Sequence, residues 1–389
     1  MLNSNGTRAL AYIVIIDSIT PIEGADNIEL AHIGGWNVIV KKEEFKAEDF
    51  AVFFEIDSKL PETEWSEFLR PKHFKVRTMK LGKFGVISQG LALPLSILPE
   101  GAEISPGTDV TELLGVTYAT EEDNQRKAKS NPNAKYDSMA ARHVKLAKKK
   151  WFRWLMKRSW GRKLLFVFFG KKKDNPKSFP DWIKRTDEER VENMKWILDQ
   201  KTPWIVTEKI DGTSTTFALD LTKKKPEFIV CSRNVRQADM NQTNYHTQGG
   251  IDNVYWEMAL KYNVEAALKD IAEKCTVQRV VLQGETYGEA LQGNPYKIKE
   301  RRFAAFNLIF DGMRLNSIHA KEILEKYDIP FVPIIDESYI LPDDFEELKL
   351  SADGTSTISN VKREGFVYRS FNGTQSFKNV SREFLLKHQ

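Results

Sequence analysis

Lys209 and Asp211 stand two residues apart in TEKIDGTS, at the end of the apolar run WIV. In a strand, residues two apart share a face, so this amine and carboxylate would project together. A lysine amine attacks phosphorus only when neutral, and an ordinary pKa of about 10.4 keeps it charged. A neighbouring carboxylate alone raises that value. A divalent cation held by the carboxylate lowers it, because nearby positive charge disfavours the ammonium. The chemistry that suits the pair is attack by lysine on a phosphoryl group beside a metal ion. The pair alone is weak, since K-x-D-G arises by chance in about one chain in ten of this size. The pentapeptide DGTST recurs at 353–357 with no lysine before it. Asp353 in that second copy reads as a plain turn.

An ordered series follows the lysine. Arg233 in SRN is a planar cation suited to phosphate or ribose. Glu285 sits at the end of the run LQGETYG, and Phe306 in RFAAFNL offers an aromatic face to a base. Glu364 precedes GFVYR, and Lys378 lies in SFKNVSREFLLK. Each has a bland alternative when taken singly: a solvated strand-end acid, a core phenylalanine, a surface lysine. The order of nucleophile, arginine, acid, aromatic, acid and lysine resembles the covalent nucleotidyltransferase superfamily of polynucleotide ligases and capping enzymes.

The elements that must position these residues are α+β in character. From 179 to 389, RVVLQGETYG, RFAAFNLIFDG and EGFVYRS read as strands. YWEMALKYNVEAALKDIAEKC reads as one amphipathic helix. TDEERVENMKWIL reads as a helix capped at Thr186 or Asp187, with acids in its first turn. Residues 8–115 are mostly β, with short runs such as AYIVIIDSI, WNVIVKK and FAVFFEI separated by turn signals, which suggests a small barrel. Between these regions, residues 116–178 are polar and then basic and tryptophan-rich.

The 389 residues, 41% of them apolar, suffice for about two domains with real cores. Two cysteines, Cys231 and Cys275, are too few for a disulfide framework or a cysteine-rich zinc site, which fits a reducing cytoplasm. The first residues lack a signal-peptide pattern, and the longest apolar run, LLFVFF at 164–169, is far too short to span a bilayer. Net charge is only +4, yet thirteen of the 58 basic residues fall between Ser138 and Lys173, with no acid among them. The remainder carries 45 basic against 54 acidic residues. A mildly acidic body with one concentrated basic segment suggests a polyanion partner. An amphipathic helix there would clamp RNA, lie on an anionic surface through 145–173, or serve as a packed linker.

Domain order narrows the resemblance. Related DNA ligases and capping enzymes place an OB domain after the catalytic core, whereas this chain ends eleven residues past Lys378. PIEGADNIELAHIGGW and GVISQGLALPL resemble OB-fold tRNA-binding modules and lie in front. With FPDWIKRTDEERVENM and TEKIDGTS they resemble the fifth RNA ligase family, over about 8–115 and 179–389. The resemblance implies an N-terminal OB-fold barrel (1–115), a basic linker or insert (116–178), and an adenylyltransferase domain (179–389) of antiparallel sheets with flanking helices, ATP-grasp-like in class. It implies an ATP-dependent, cytoplasmic RNA ligase that uses Mg2+ or Mn2+ on RNA ends or nicked duplexes.

Residue by residue, Lys209 would carry AMP. Asp211, Glu285 and Glu364 would hold waters of the metal. Glu208 sits where these ligases contact adenine mainly through the backbone. Arg233 would meet ribose or phosphate, Phe306 would stack on adenine, and Lys378 would grip the α-phosphate. Two departures stand out: Ser376 replaces the first of two lysines, and Asn307 stands where an aspartate commonly follows the aromatic. No residue is assigned to the β- and γ-phosphates. The alternatives are a DNA ligase, a capping-type enzyme, or a non-catalytic RNA-binding protein on a degenerate core.

Overall fold

The computed structural model describes residues 1–3, 7–119, 149–169, 177–237, 246–247, 250–251 and 253–388. The polar run from 120 and both ends of the basic segment fall outside these residues.

The N-terminal β region folds as two three-stranded antiparallel sheets. Phe50–Phe54 lies between Ala11–Ile15 and Leu91–Pro94, while Ser18–Pro21, Ile28–Ile33 and Trp36–Lys41 form a meander. Alternation along the first strand serves two cores. Tyr12, Val14 and Ile16 join Trp36, Val38 and Phe53, while Ala11 and Ile13 join Val52, Phe54 and Leu69. The meander turns at Gly34-Gly35, where Gly34 has a φ of +55° and Ile33 pairs with Trp36. Gly35 has a second reason to lack a side chain: a Cβ there would lie 2.4 Å from the Phe345 ring of the C-terminal domain.

The C-terminal domain has two larger sheets. One has seven strands, ordered Lys177–Ser178, Val235–Arg236, Glu227–Ser232, Thr213–Asp220, Arg279–Gly288, Arg301–Phe310 and Met313–Arg314. Helices Val254–Lys261, Val264–Cys275 and Ser317–Glu325 cover one face, burying Trp256, Leu268, Ile271 and Leu324 against Phe217, Leu282 and Phe303. The other sheet has five strands, ordered Glu189–Arg190, Ser376–Val380, Gly365–Ser370, Trp204–Lys209 and Ile334–Tyr339. Its core holds Trp204, Val206, Tyr368 and Phe377.

Three expectations need correction. TDEERVENMKWIL is not a capped helix: Glu189–Arg190 adds a parallel edge strand beside Ser376–Val380, and two 3-10 turns, Val191–Asn193 and Lys195–Asp199, follow. Its acids are engaged in long-range ion pairs rather than in a first turn, so tertiary contacts override local propensity. That edge is parallel, whereas the remaining strand pairs in these two sheets are antiparallel. The helix expected over 255–275 breaks at Asn263, whose φ is +46°.

The two domains share a polar hub. Tyr12 Oη and Trp36 Nε1 donate to Asn193 Oδ1, at 3.1 and 2.7 Å. Asn193 Nδ2 donates to Glu55 and Glu189, at 2.7 and 2.9 Å. Val380 and Leu385 complete the N-terminal core from the C-terminal side. Among the described residues no helix is long and apolar enough to cross a membrane.

Candidate active site

The strand Trp204–Lys209 is buried along Trp204, Ile205 and Val206 and ends at the partly exposed amine of Lys209. The next residues step from the five-stranded sheet to the seven-stranded one. Ile210 is buried, the Asp211 backbone N–H donates to Tyr296 Oη at 2.8 Å, and Gly212 presses against the opposite strand. A Cβ on Gly212 would lie 2.4 Å from the Thr286 carbonyl oxygen, so this step requires glycine. The nucleophile candidate thus stands where two sheets diverge. A cavity of about 1160 Å3 opens there. Lys209, Glu208, Asp211, Arg233, Glu285, Phe306, Glu364 and Lys378 all line it. The fold therefore gathers eight positions spread over a sequence distance of 170, from 208 to 378, into one space.

Glu364, Glu285 and Asp211 all act on the amine. Lys209 Nζ donates to Glu364 Oε1 at 2.5 Å. Burial of Lys209 pulls its pKa down, but attraction from Glu364, Glu285 and Asp211 outweighs it, so the net shift is upward. Burial, and repulsion from Glu364 and Asp211, push Glu285 up to about 8 despite the pull of Lys209. Glu364 Oε2 is buried with no hydrogen-bond partner. One amine facing three acids leaves surplus negative charge, and the site's polar atoms fit a further cation. Among the described residues no three acidic, histidine or cysteine groups are arranged to ligate an ion directly.

Across the cavity, three cations meet one acid. Asp187 accepts from Lys378 Nζ at 2.8 Å and Arg8 Nε at 3.0 Å, and Arg233 lies 3.3 Å away. Burial opposes the Asp187 charge, but Lys378, Arg8 and Arg233 hold its carboxyl well below the usual range. Burial and the nearby Arg8 bring Lys378 down to about 8. Arg8 comes from the N-terminal domain and also pairs with Glu55 at 2.9 Å. Neither Arg8 nor Asp187 was anticipated. The sequence offers Asp187 only as an alternative to Thr186 for a helix cap, and nothing local marks Arg8.

On the remaining wall, Phe306 is half-buried and packs with the cluster of Ile210, Tyr287, Tyr296 and Val332. The Arg369 guanidinium lies 5.7 Å from its ring centre. The second DGTST supplies a partner for the first. Ser356 Oγ donates to Glu208 Oε1, and Thr357 donates to Oε2 through its N–H at 2.8 Å and its hydroxyl at 2.5 Å. Asp353 accepts from Ser381 Oγ at 2.7 Å. This copy is no plain turn, for it holds the residue beside the lysine. The two departures also find their places. Ser376 donates to Glu188 and accepts from Arg314 at 3.2 Å. Asn307 is buried in the sheet, donating to Gln283 at 3.0 Å.

Known proteins share this domain order. Residues 10–95 match an OB-fold domain model, and residues 202–387 match the RNA ligase family model. The chain is an RNA ligase with an OB domain in front. Its fold is similar to that of a Naegleria gruberi RNA ligase with PPi, at 29% identity and a TM-score of 0.74, covering 98% of this chain and 99% of that one. A lysine-to-alanine mutant of the Naegleria gruberi RNA ligase with ATP and Mn is similar at 29% identity and a TM-score of 0.73, with 98% of each chain covered. A lysine-to-methionine mutant with AMP and Mn matches at 28% identity and a TM-score of 0.73, covering 98% and 99%. No curated protein sequence matches the ligase.

Proposed function

We propose that the ligase joins RNA 3′-hydroxyl and 5′-phosphate ends in an ATP-dependent reaction through a lysyl-AMP intermediate. The observation that carries this reading is Lys209 Nζ at a strand end, 2.5 Å from Glu364, in a cavity shared with Glu285, Lys378 and Arg233. The neutral amine attacks the α-phosphorus of ATP; an N–P bond forms, the bond to the bridging oxygen breaks, and pyrophosphate leaves. AMP then passes to a 5′-phosphate, and a 3′-hydroxyl displaces it. Asp211, Glu285 and Glu364 would hold the waters of Mg2+ or Mn2+, whose charge lowers the lysine pKa. Glu364 is the nearest base for the departing proton. Lys378 binds the α-phosphate, Arg233 the ribose or phosphate, and Phe306 stacks on adenine, a contact worth about 1–3 kcal/mol. Glu208 shapes the adenine end through its backbone, its carboxylate being held by Ser356 and Thr357.

We assign 1–115 to RNA binding, 116–178 to a basic insert, and 179–389 to adenylyl transfer. RNA ends or nicked duplexes in cytoplasmic RNA repair are the fitting substrates. Incubation with α-labelled ATP and magnesium will label the protein, and Lys209→Ala will abolish the label. An active wild type that takes no label, or a labelled Lys209→Ala, defeats the proposal.

A further inference from the structure

The insert contains a helical hairpin, Lys150–Met156 and Ser159–Phe169, that neither domain's chemistry accounts for. Phe152 and Leu165 are buried. Trp151, Trp154, Trp160 and Leu164 are 45, 50, 51 and 45% exposed, an unusual fate for residues of this size. Trp154 and Trp160 touch edge to face at 6.0 Å, which joins the two helices' aromatics into one patch. The Arg158 guanidinium lies 4.3 Å from the Trp154 ring centre. Lys149, Lys157 and Lys163 are exposed on the same helices, and the sequence from Ser138 to Lys173 is basic throughout its charged positions.

The chain departs toward the hairpin from the cavity. Tyr118 and Ala119, the last described residues before the helices, line it. The chain re-enters at Lys177–Ser178, which pairs with Val235–Arg236. Just before that strand, Arg233 and Asn234 line the cavity as well. From Phe169 to Lys177 the chain can reach at most about 29 Å. That length bounds how far the end of the second helix can lie from the strand beside the cavity.

We propose that this hairpin is a docking platform for an unpaired stretch of the RNA substrate next to the end being joined. The proposal rests on the ligase reading and names its substrate class. Cations track the phosphates, and exposed indoles stack on bases, which a fully paired duplex hides. A bilayer surface would also accept tryptophan and lysine, but the tether of both flanks of the hairpin to the cavity region favours RNA.

The test uses the full chain and two exposed-residue variants, the triple Trp151→Ala/Trp154→Ala/Trp160→Ala and the triple Lys157→Ser/Arg158→Ser/Lys163→Ser. Lysine labelling by α-labelled ATP stays at the wild-type level in both. For an RNA with an unpaired arm beside the junction, the tryptophan variant raises KM about tenfold with kcat within about twofold. For a fully paired nick its KM changes little. The cation variant lowers the slope of log affinity against log salt by about 2. Unchanged KM and salt slope, or an equal effect on paired and unpaired substrates, overturns the proposal. So does flotation with phosphatidylserine vesicles that depends on the tryptophans while RNA binding is untouched. If wild type takes no label, the ligase reading fails, and direct RNA titration of the same variants still decides the platform.

Discussion

At the scale of single residues, the decisive feature is an amine held by acids before any nucleotide arrives. Glu364 is the closest of them, and it has one oxygen on Lys209 and one left unpaired. Glu364→Gln keeps the shape and removes the charge, so label incorporation will fall by roughly 100-fold or more while the thermal midpoint changes little. Glu208 makes a second test. Ser356→Ala combined with Thr357→Ala leaves a buried carboxylate short of donors, at a cost of about 1–3 kcal/mol per lost partner. Denaturant unfolding will show that loss, and KM for ATP will rise more than kcat falls. Lys209, Asp211, Glu285, Phe306, Glu364 and Lys378 lie in or beside strong β runs, which made them candidates, and the fold brings them to one cavity. Arg8, Asp187 and Ser356 were not. Their partners are far away in the chain, and no local pattern encodes a contact such as Arg8 to Asp187.

At the scale of elements, periodicity served where side chains pack and failed where they pair as ions. The strands Thr213–Asp220, Arg279–Gly288 and Arg301–Phe310 bury alternating residues on two covered faces. TDEERVENMKWIL has an acidic first turn and good helix formers, yet it makes an edge strand and two tight turns. Asp187 is drawn to Lys378 and Arg8, and Glu188 to Arg314 and Arg369. The step from Lys209 to Thr213 is tighter than its letters suggest. Gly212→Ala forces the Thr286 strand away and separates the lysine from Glu285, whose Cγ would lie 3.1 Å from the new methyl group. Adduct formation will drop sharply, with a stability loss of about 1–3 kcal/mol by chemical denaturation.

At the scale of the whole molecule, the joint between domains is built from buried charge. Burial opposes ionisation of Glu55, yet the Met1 ammonium, Arg8 and Arg190 bring it down to about 2. A depressed carboxylate contributes stability that is present above its unfolded pKa, about 4.5, and is lost as pH falls through about 2. The contribution is about 3 kcal/mol. Unfolding midpoints measured from pH 6 to pH 2 will decline most steeply across that window, and Glu55→Gln will flatten the decline. The joint also determines what a severed half can do. Arg8, Leu10, Asp57 and Tyr118 form part of the cavity wall opposite the lysine. A fragment starting at 179 would keep every residue of the nucleophilic strand yet open on that flank to bulk water. Lys378 and Arg233 would keep Asp187 but lose Arg8 beside it, and adding back the missing portion in trans will restore turnover without any new covalent link.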